Sequence, residues 1–95
     1  MASVNEIRRV AKQVYNARST VSTKKKRMMS EINGMYSWWD SSASHAFKNR
    51  YGGIDRDIQR VMNNLDNLEY QLKQLAKELE EAENAKRLAR LRAQK

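Results

Sequence analysis

Phe47, Tyr51, Ile54, Ile58, Val61, Leu65, Leu68, Leu72, Leu75, Leu79 and Ala82 follow one another at spacings of four and three residues without a break. An apolar seam with a period of about 3.5 residues, held for about five repeats, marks a long helix lying along another helix. The positions between are mostly Asp, Arg, Asn, Gln, Lys and Glu, as a solvated flank requires. A helix from about 42 to 85 would run roughly 65 Å at about 1.5 Å per residue. Propensity alone does not hold such a helix in water, so the seam must meet apolar partners.

The first half of the chain supplies one. Ile7, Val10, Val14, Ala17, Val21, Met28, Ile32 and Met35 keep the same rhythm, with a polar gap at Lys24 and Lys25. Ser3 followed by Glu6 has the spacing of a capping box, which predicts a helix over about 4–35. The chain contains no Pro and three Gly, a composition that favours long helices over a turn-rich sheet. Between the two patterns lie residues 36–42, where Asp40, Ser41 and Ser42 are good N-caps for the second helix. The expectation is an all-α, single-domain antiparallel hairpin, with the second helix overhanging the first and a basic tail over about 86–95.

A hairpin this small leaves apolar surface open. Met29, Met62, Tyr70, Ala76 and the flank of Trp38 and Trp39 fall outside the seam as phased above. Pairing of two hairpins into a four-helix bundle is the predicted remedy. Val14, Val21, Met28, Ile54, Ile58, Val61, Leu65, Leu68, Leu72 and Leu75 are its expected core and dimer contacts. Gly52 and Gly53 lie off the seam, as a tolerated weak spot or a place where a partner helix comes close.

Several classes of function are disfavoured. No Cys is present, which removes disulfides and thiolate metal sites. His45 is the sole histidine, and metal binding or acid–base catalysis needs convergent groups. No enzyme activity, cofactor or metal is therefore expected. No apolar run approaches the ~20 residues of a membrane span, and residues 1–10 lack the apolar segment of a cleaved signal peptide.

Charge is lopsided within a net +8. Residues 1–35 hold eight Lys or Arg against two acids, while 36–85 is slightly acidic. The run Lys24-Lys25-Lys26-Arg27 reads first as a solvated face, then as a patch for an acidic chain or anionic surface, and last as a nucleic-acid contact. The aromatic interleaving of nucleic-acid modules is missing. Five basic residues in 86–95 suit the C-terminal end of a helix dipole or an export or targeting tail.

The stretch Trp39-Asp40-Ser41-Ser42-Ala43-Ser44-His45-Ala46-Phe47 sits where the hairpin must turn. It resembles the bend of the WXG family, the small early-secreted-antigen-like helical hairpins of type VII secretion. Trp39 matches the family Trp, Ser41 stands at the usual Gly, and Ala43, Ala46 and Phe47 match the small and aromatic positions that follow. A bend needing φ > 0 would disfavour Ser at that Gly position.

The resemblance implies a protein secreted without a cleaved signal peptide and cytoplasmic before export. It would act as a substrate, or as the escort of a larger effector. It also implies a homodimer, or a heterodimer with another hairpin, and contact with a secretion ATPase. Trp38 and Trp39 then read either as one structural plug and one surface ring, or as half of a recognition site. The family's C-terminal Tyr-x-x-x-Asp/Glu signal is absent, since Tyr70 is followed four residues later by Gln74. Tyr36/Asp40 and Tyr51/Asp55 have that spacing at the bend and early in helix 2. The alternative reading is a basic coiled-coil adaptor for nucleic acid or an anionic surface.

Overall fold

The computed structural model describes residues 3–35, 38–39 and 41–94. Helix α1 spans Val4–Met35 and helix α2 spans Ser42–Ala93. They lie against each other as an antiparallel hairpin: Arg8 pairs with Glu80, Arg18 with Asp66 and Lys25 with Asp55, so numbers fall on α2 as they rise on α1. The molecule is a rod of 81 × 17 × 16 Å. Its length is that of α2 alone, about 78 Å at about 1.5 Å per residue.

The caps explain the helix starts. The Ser3 Oγ accepts from the Glu6 N–H at 3.1 Å while Glu6 Oε2 accepts from the Ser3 N–H at 3.4 Å, satisfying orphan donors at both ends of the box. α2 continues eight residues beyond the expected end near 85, to Ala93, with Gln94 as C-cap. The reason is local: Lys86 to Ala93 is made only of Ala, Leu, Lys and Arg, strong helix formers, and its cations face the negative end of the dipole. Ser3, Val4, Asn5 and Arg8 share a shallow groove with Glu80 and Glu83. Beyond that level α2 has no neighbour among the described residues.

The seam between the helices differs in phase from the one traced on sequence. Among the described residues, Ile7 and Ala11 on α1 and Met62 and Ala76 on α2 are the buried apolar ones, with Met62 at 4% exposure and Ala76 at 0%. Val14, Val21, Ile32, Ile58, Leu65, Leu72 and Leu79 are half-buried around them. Ile54 and Val61, expected in the core, are 50% exposed, Leu68 43% and Leu75 44%. Met28 is also exposed. The ion-pair register sets it near the level of Gly52 and Gly53, which offer no side chain to cover it.

The geometry of a heptad accounts for the shift. Tyr51, Ile58, Leu65, Leu72 and Leu79 face inward on either phasing. At about 100° per residue, Asp55, Met62, Glu69 and Ala76 stand about 40° to one side of them, and Ile54, Val61, Leu68 and Leu75 about 60° to the other. α1 packs on the first side, where its inward Arg18 and Lys25 meet the carboxylates of Asp66 and Asp55.

Candidate partner-binding face and bend

One flank of the hairpin is ionic and the other apolar. On the ionic flank Arg8 meets Glu80, the Arg18 Nε donates to Asp66 Oδ1 at 3.1 Å, and the Lys25 Nζ donates to Gln59 Oε1 at 3.1 Å. On the opposite flank Phe47, Ile54, Val61, Leu68 and Leu75 follow at intervals of seven, all exposed. Val10, also exposed, stands near the level of Leu75 by the ion-pair register, and Ala17 near that of Leu68. Together they form a stripe about 42 Å long on α2, taking about 1.5 Å per residue. An aligned row of exposed apolar side chains is the kind of surface that a further helix can cover.

Lys25 belongs to the interior rather than to an exposed basic run. Its side chain is 15% exposed, with Nζ 3.3 Å from Asp55 Oδ1. That oxygen and the Tyr51 Oη are both buried without a hydrogen bond. Burial, and then the neighbouring Asp55 charge, raise the Tyr51 phenol above its ordinary 10.0. Lys24, Lys26 and Arg27 remain outside, exposed and without an ion pair among the described residues. Lys24 and Arg27 line a shallow groove with Ser19, Thr20 and Thr23. The threonine hydroxyls there donate to the Asn16 and Ser19 carbonyls of their own helix, each at 3.0 Å.

At the bend, the Met35 carbonyl accepts from the N–H groups of Trp38 at 3.2 Å and Trp39 at 2.9 Å. Trp38 projects from the end, 73% exposed. Trp39 is half-buried and its ring lies 6.1 Å from that of Phe47, tilted by 46°. Ala43 and Ala46 are exposed on the first turn of α2. Tyr36 and Asp40, one of the two Tyr-x-x-x-Asp spacings, lie outside the described residues.

The expected strain at Ser41 does not arise. Its φ of −153° and ψ of 170° are extended backbone open to any residue. Its Oγ accepts from the Ser44 N–H at 3.3 Å, while the Ser44 Oγ accepts from the Ser41 N–H at 2.9 Å and donates to the Ser41 carbonyl at 2.8 Å. Ser is thus the N-cap here, a role it fills better than Gly. Ser44, fully buried, fills the position where the usual capping-box pattern has Glu or Gln, so a search for that pattern passes over it. Gly52 and Gly53 admit a Cβ with nothing within 4 Å, so no close approach within the hairpin requires them.

Among the described residues no His, Asp and Glu cluster fits a metal ion, and no helix is long and apolar enough to cross a membrane. No curated protein and no solved structure matches the chain. A family does, described as proteins of 100 residues with WXG, and the match covers residues 1–84, from α1 through the bend to the level where α1 leaves α2. With hairpin, bend motif and match in agreement, the chain belongs to the WXG100 family.

Proposed function

We propose that this protein is a secreted helical adaptor of the type VII (ESX) route, working as a substrate or escort that completes a four-helix bundle with a second hairpin. Membership of the WXG100 family supports the route. The exposed stripe of Phe47, Ile54, Val61, Leu68 and Leu75 carries the mechanism. In such a bundle Tyr51, Ile58, Leu65 and Leu72 point to the bundle axis, α1 lies on one side of them, and the stripe faces the incoming hairpin. Burying these side chains removes apolar area at about 25 cal/mol per Å², which offsets the ordering of the partner.

The test is sedimentation equilibrium on the unmodified chain and on a Val61→Asp, Leu68→Asp variant. At high protein concentration and high salt, the unmodified chain should pair, at twice its 11.1 kDa. The variant should keep its helical circular dichroism and stay single. A variant that pairs equally well sinks the reading.

A second reading rests on Lys24, Lys26, Arg27 and the basic end of α2, which the family match does not cover. It is binding to nucleic acid or an anionic surface, and a steep loss of duplex DNA binding with salt would support it.

A further inference from the structure

Resting on the second reading above, we propose that the free end of α2 grips duplex nucleic acid by its phosphates, without reading base sequence. α2 passes the start of α1 at the level of Glu83, which shares a groove with Ser3 and Val4. Residues 84–93 continue alone, every one exposed, for about 15 Å at about 1.5 Å per residue. Lys86, Arg87, Arg90 and Arg92 stand on this stretch without an ion pair among the described residues. No acid occurs anywhere in 84–95. At about 100° per residue Lys86, Arg90 and Arg87 fall within about 100° of arc, with Arg92 about 140° beyond Arg87. Cations therefore stand on both sides of the helix, where the two walls of a groove would lie.

The spacing of these cations and the charges beside them favour a duplex over other anions. Lys86 and Arg90 are four residues apart and Arg87 and Arg90 three, so like charges are neighbours on a helix that nothing packs against. A duplex carries one charge per about 1.7 Å of its axis, which relieves that repulsion and releases condensed counterions. An acid band comes just before the overhang. Glu78, Glu81 and Glu83 are exposed and without an ion pair among the described residues. All three lie within about 12 Å of Lys86 along the axis, at about 1.5 Å per residue. A flat anionic bilayer laid along the rod would meet these carboxylates together with the cations. A helix lying in a major groove about 12 Å wide brings only the overhang against phosphate. Leu88 and Leu91, 50% and 53% exposed, are too few apolar anchors to seat the helix in a bilayer.

Fluorescence anisotropy of a labelled mixed-sequence DNA duplex tests this on the full chain. Between about 50 and 200 mM salt the unmodified chain should lose about a hundredfold in affinity, the loss that about four phosphate contacts give. The combined variant Lys86→Gln, Arg87→Gln, Arg90→Gln, Arg92→Gln should bind about tenfold or more weaker in low salt, with a flattened salt dependence. Its thermal unfolding should match that of the unmodified chain. Lys24→Gln, Lys26→Gln, Arg27→Gln together should weaken binding by less than about threefold. Binding lost through those three instead overturns the overhang proposal and leaves the second reading standing. Equal or tighter binding to vesicles of phosphatidylserine and phosphatidylcholine overturns the choice of duplex. Binding to neither duplex nor vesicle in low salt overturns the second reading and this proposal with it.

Discussion

Lys25 of α1 and Asp55 of α2 meet at 3.3 Å inside the hairpin seam, their side chains 15% and 30% exposed. They convert what reads on sequence as a polar gap into an interhelical lock. Lys25→Ala should destabilise the hairpin by about 1–3 kcal/mol, less than for a fully buried pair because water still reaches Asp55. Pairing Lys25→Met with Asp55→Leu should recover most of the loss. Urea unfolding of the two variants checks it, and equal loss in the single and the double variant would refute the lock.

The raised Tyr51 phenol gives a sign for alkaline pH. Its neutral form is favoured in the folded state, so the stability it contributes is fully present below the unfolded value near 10.0. That stability is lost as pH rises through the higher folded value. In a spectrophotometric titration one of the four tyrosines should ionise after the rest. Asp55→Asn should bring it earlier; no movement would show that Asp55 is not part of the cause.

Seam and stripe should respond differently to truncation. Met62→Ala removes a buried side chain and should cost about 2–5 kcal/mol in dilute solution. Leu68→Ala, on the open flank, should cost under about 1 kcal/mol there. In concentrated protein the ranking should change, Leu68→Ala weakening pairing. Matching losses in dilute solution would return the chain to the phase traced on sequence.

The cap at the bend separates Ser from Gly. Ser41→Ala should lower stability by about 1 kcal/mol, and Ser41→Gly by only a few tenths. A thermal scan in which Gly stabilises would mean the bend prefers a positive φ after all.

Trp38 and Trp39 should part company as well. Trp38→Ala, at the exposed tip, should keep helicity and pairing yet lose export, whereas Trp39→Ala, whose ring lies tilted against Phe47, should lower thermal stability. Normal export of Trp38→Ala would remove the recognition role.

Much of this was legible in the sequence. The spacing of three and four gave away both helices, Ser3 and Glu6 the first cap, and the Trp39-to-Phe47 stretch the turn. The phase of the seam was not legible, because Tyr51, Ile58, Leu65, Leu72 and Leu79 serve either choice. The most apolar companions, Ile54, Val61, Leu68 and Leu75, belong to the outward face. The chain's own contact uses Ala76 and Met62 beside Asp55 and Glu69. The ion pairs of Arg18 and Lys25 and the close approach at Ala11 and Ala76 go with that choice, and a hydrophobic pattern does not register them.

The buried apolar residues also bear on how the hairpin forms. Ile7 and Ala11 belong to the end far from the bend, as does Ala76, and Ala11 and Ala76 are 65 positions apart. The bend half holds Gly52, Gly53 and the Lys25–Asp55 pair instead of a sealed apolar layer. Closure entropy rises only slowly with loop length, by about 0.6 kcal/mol per doubling, so long-range docking of the two arms is accessible without a zipper starting at the turn. Within the paired part of the hairpin, the amides around Gly52 and Gly53 should exchange with solvent before those around Ala11 and Ala76.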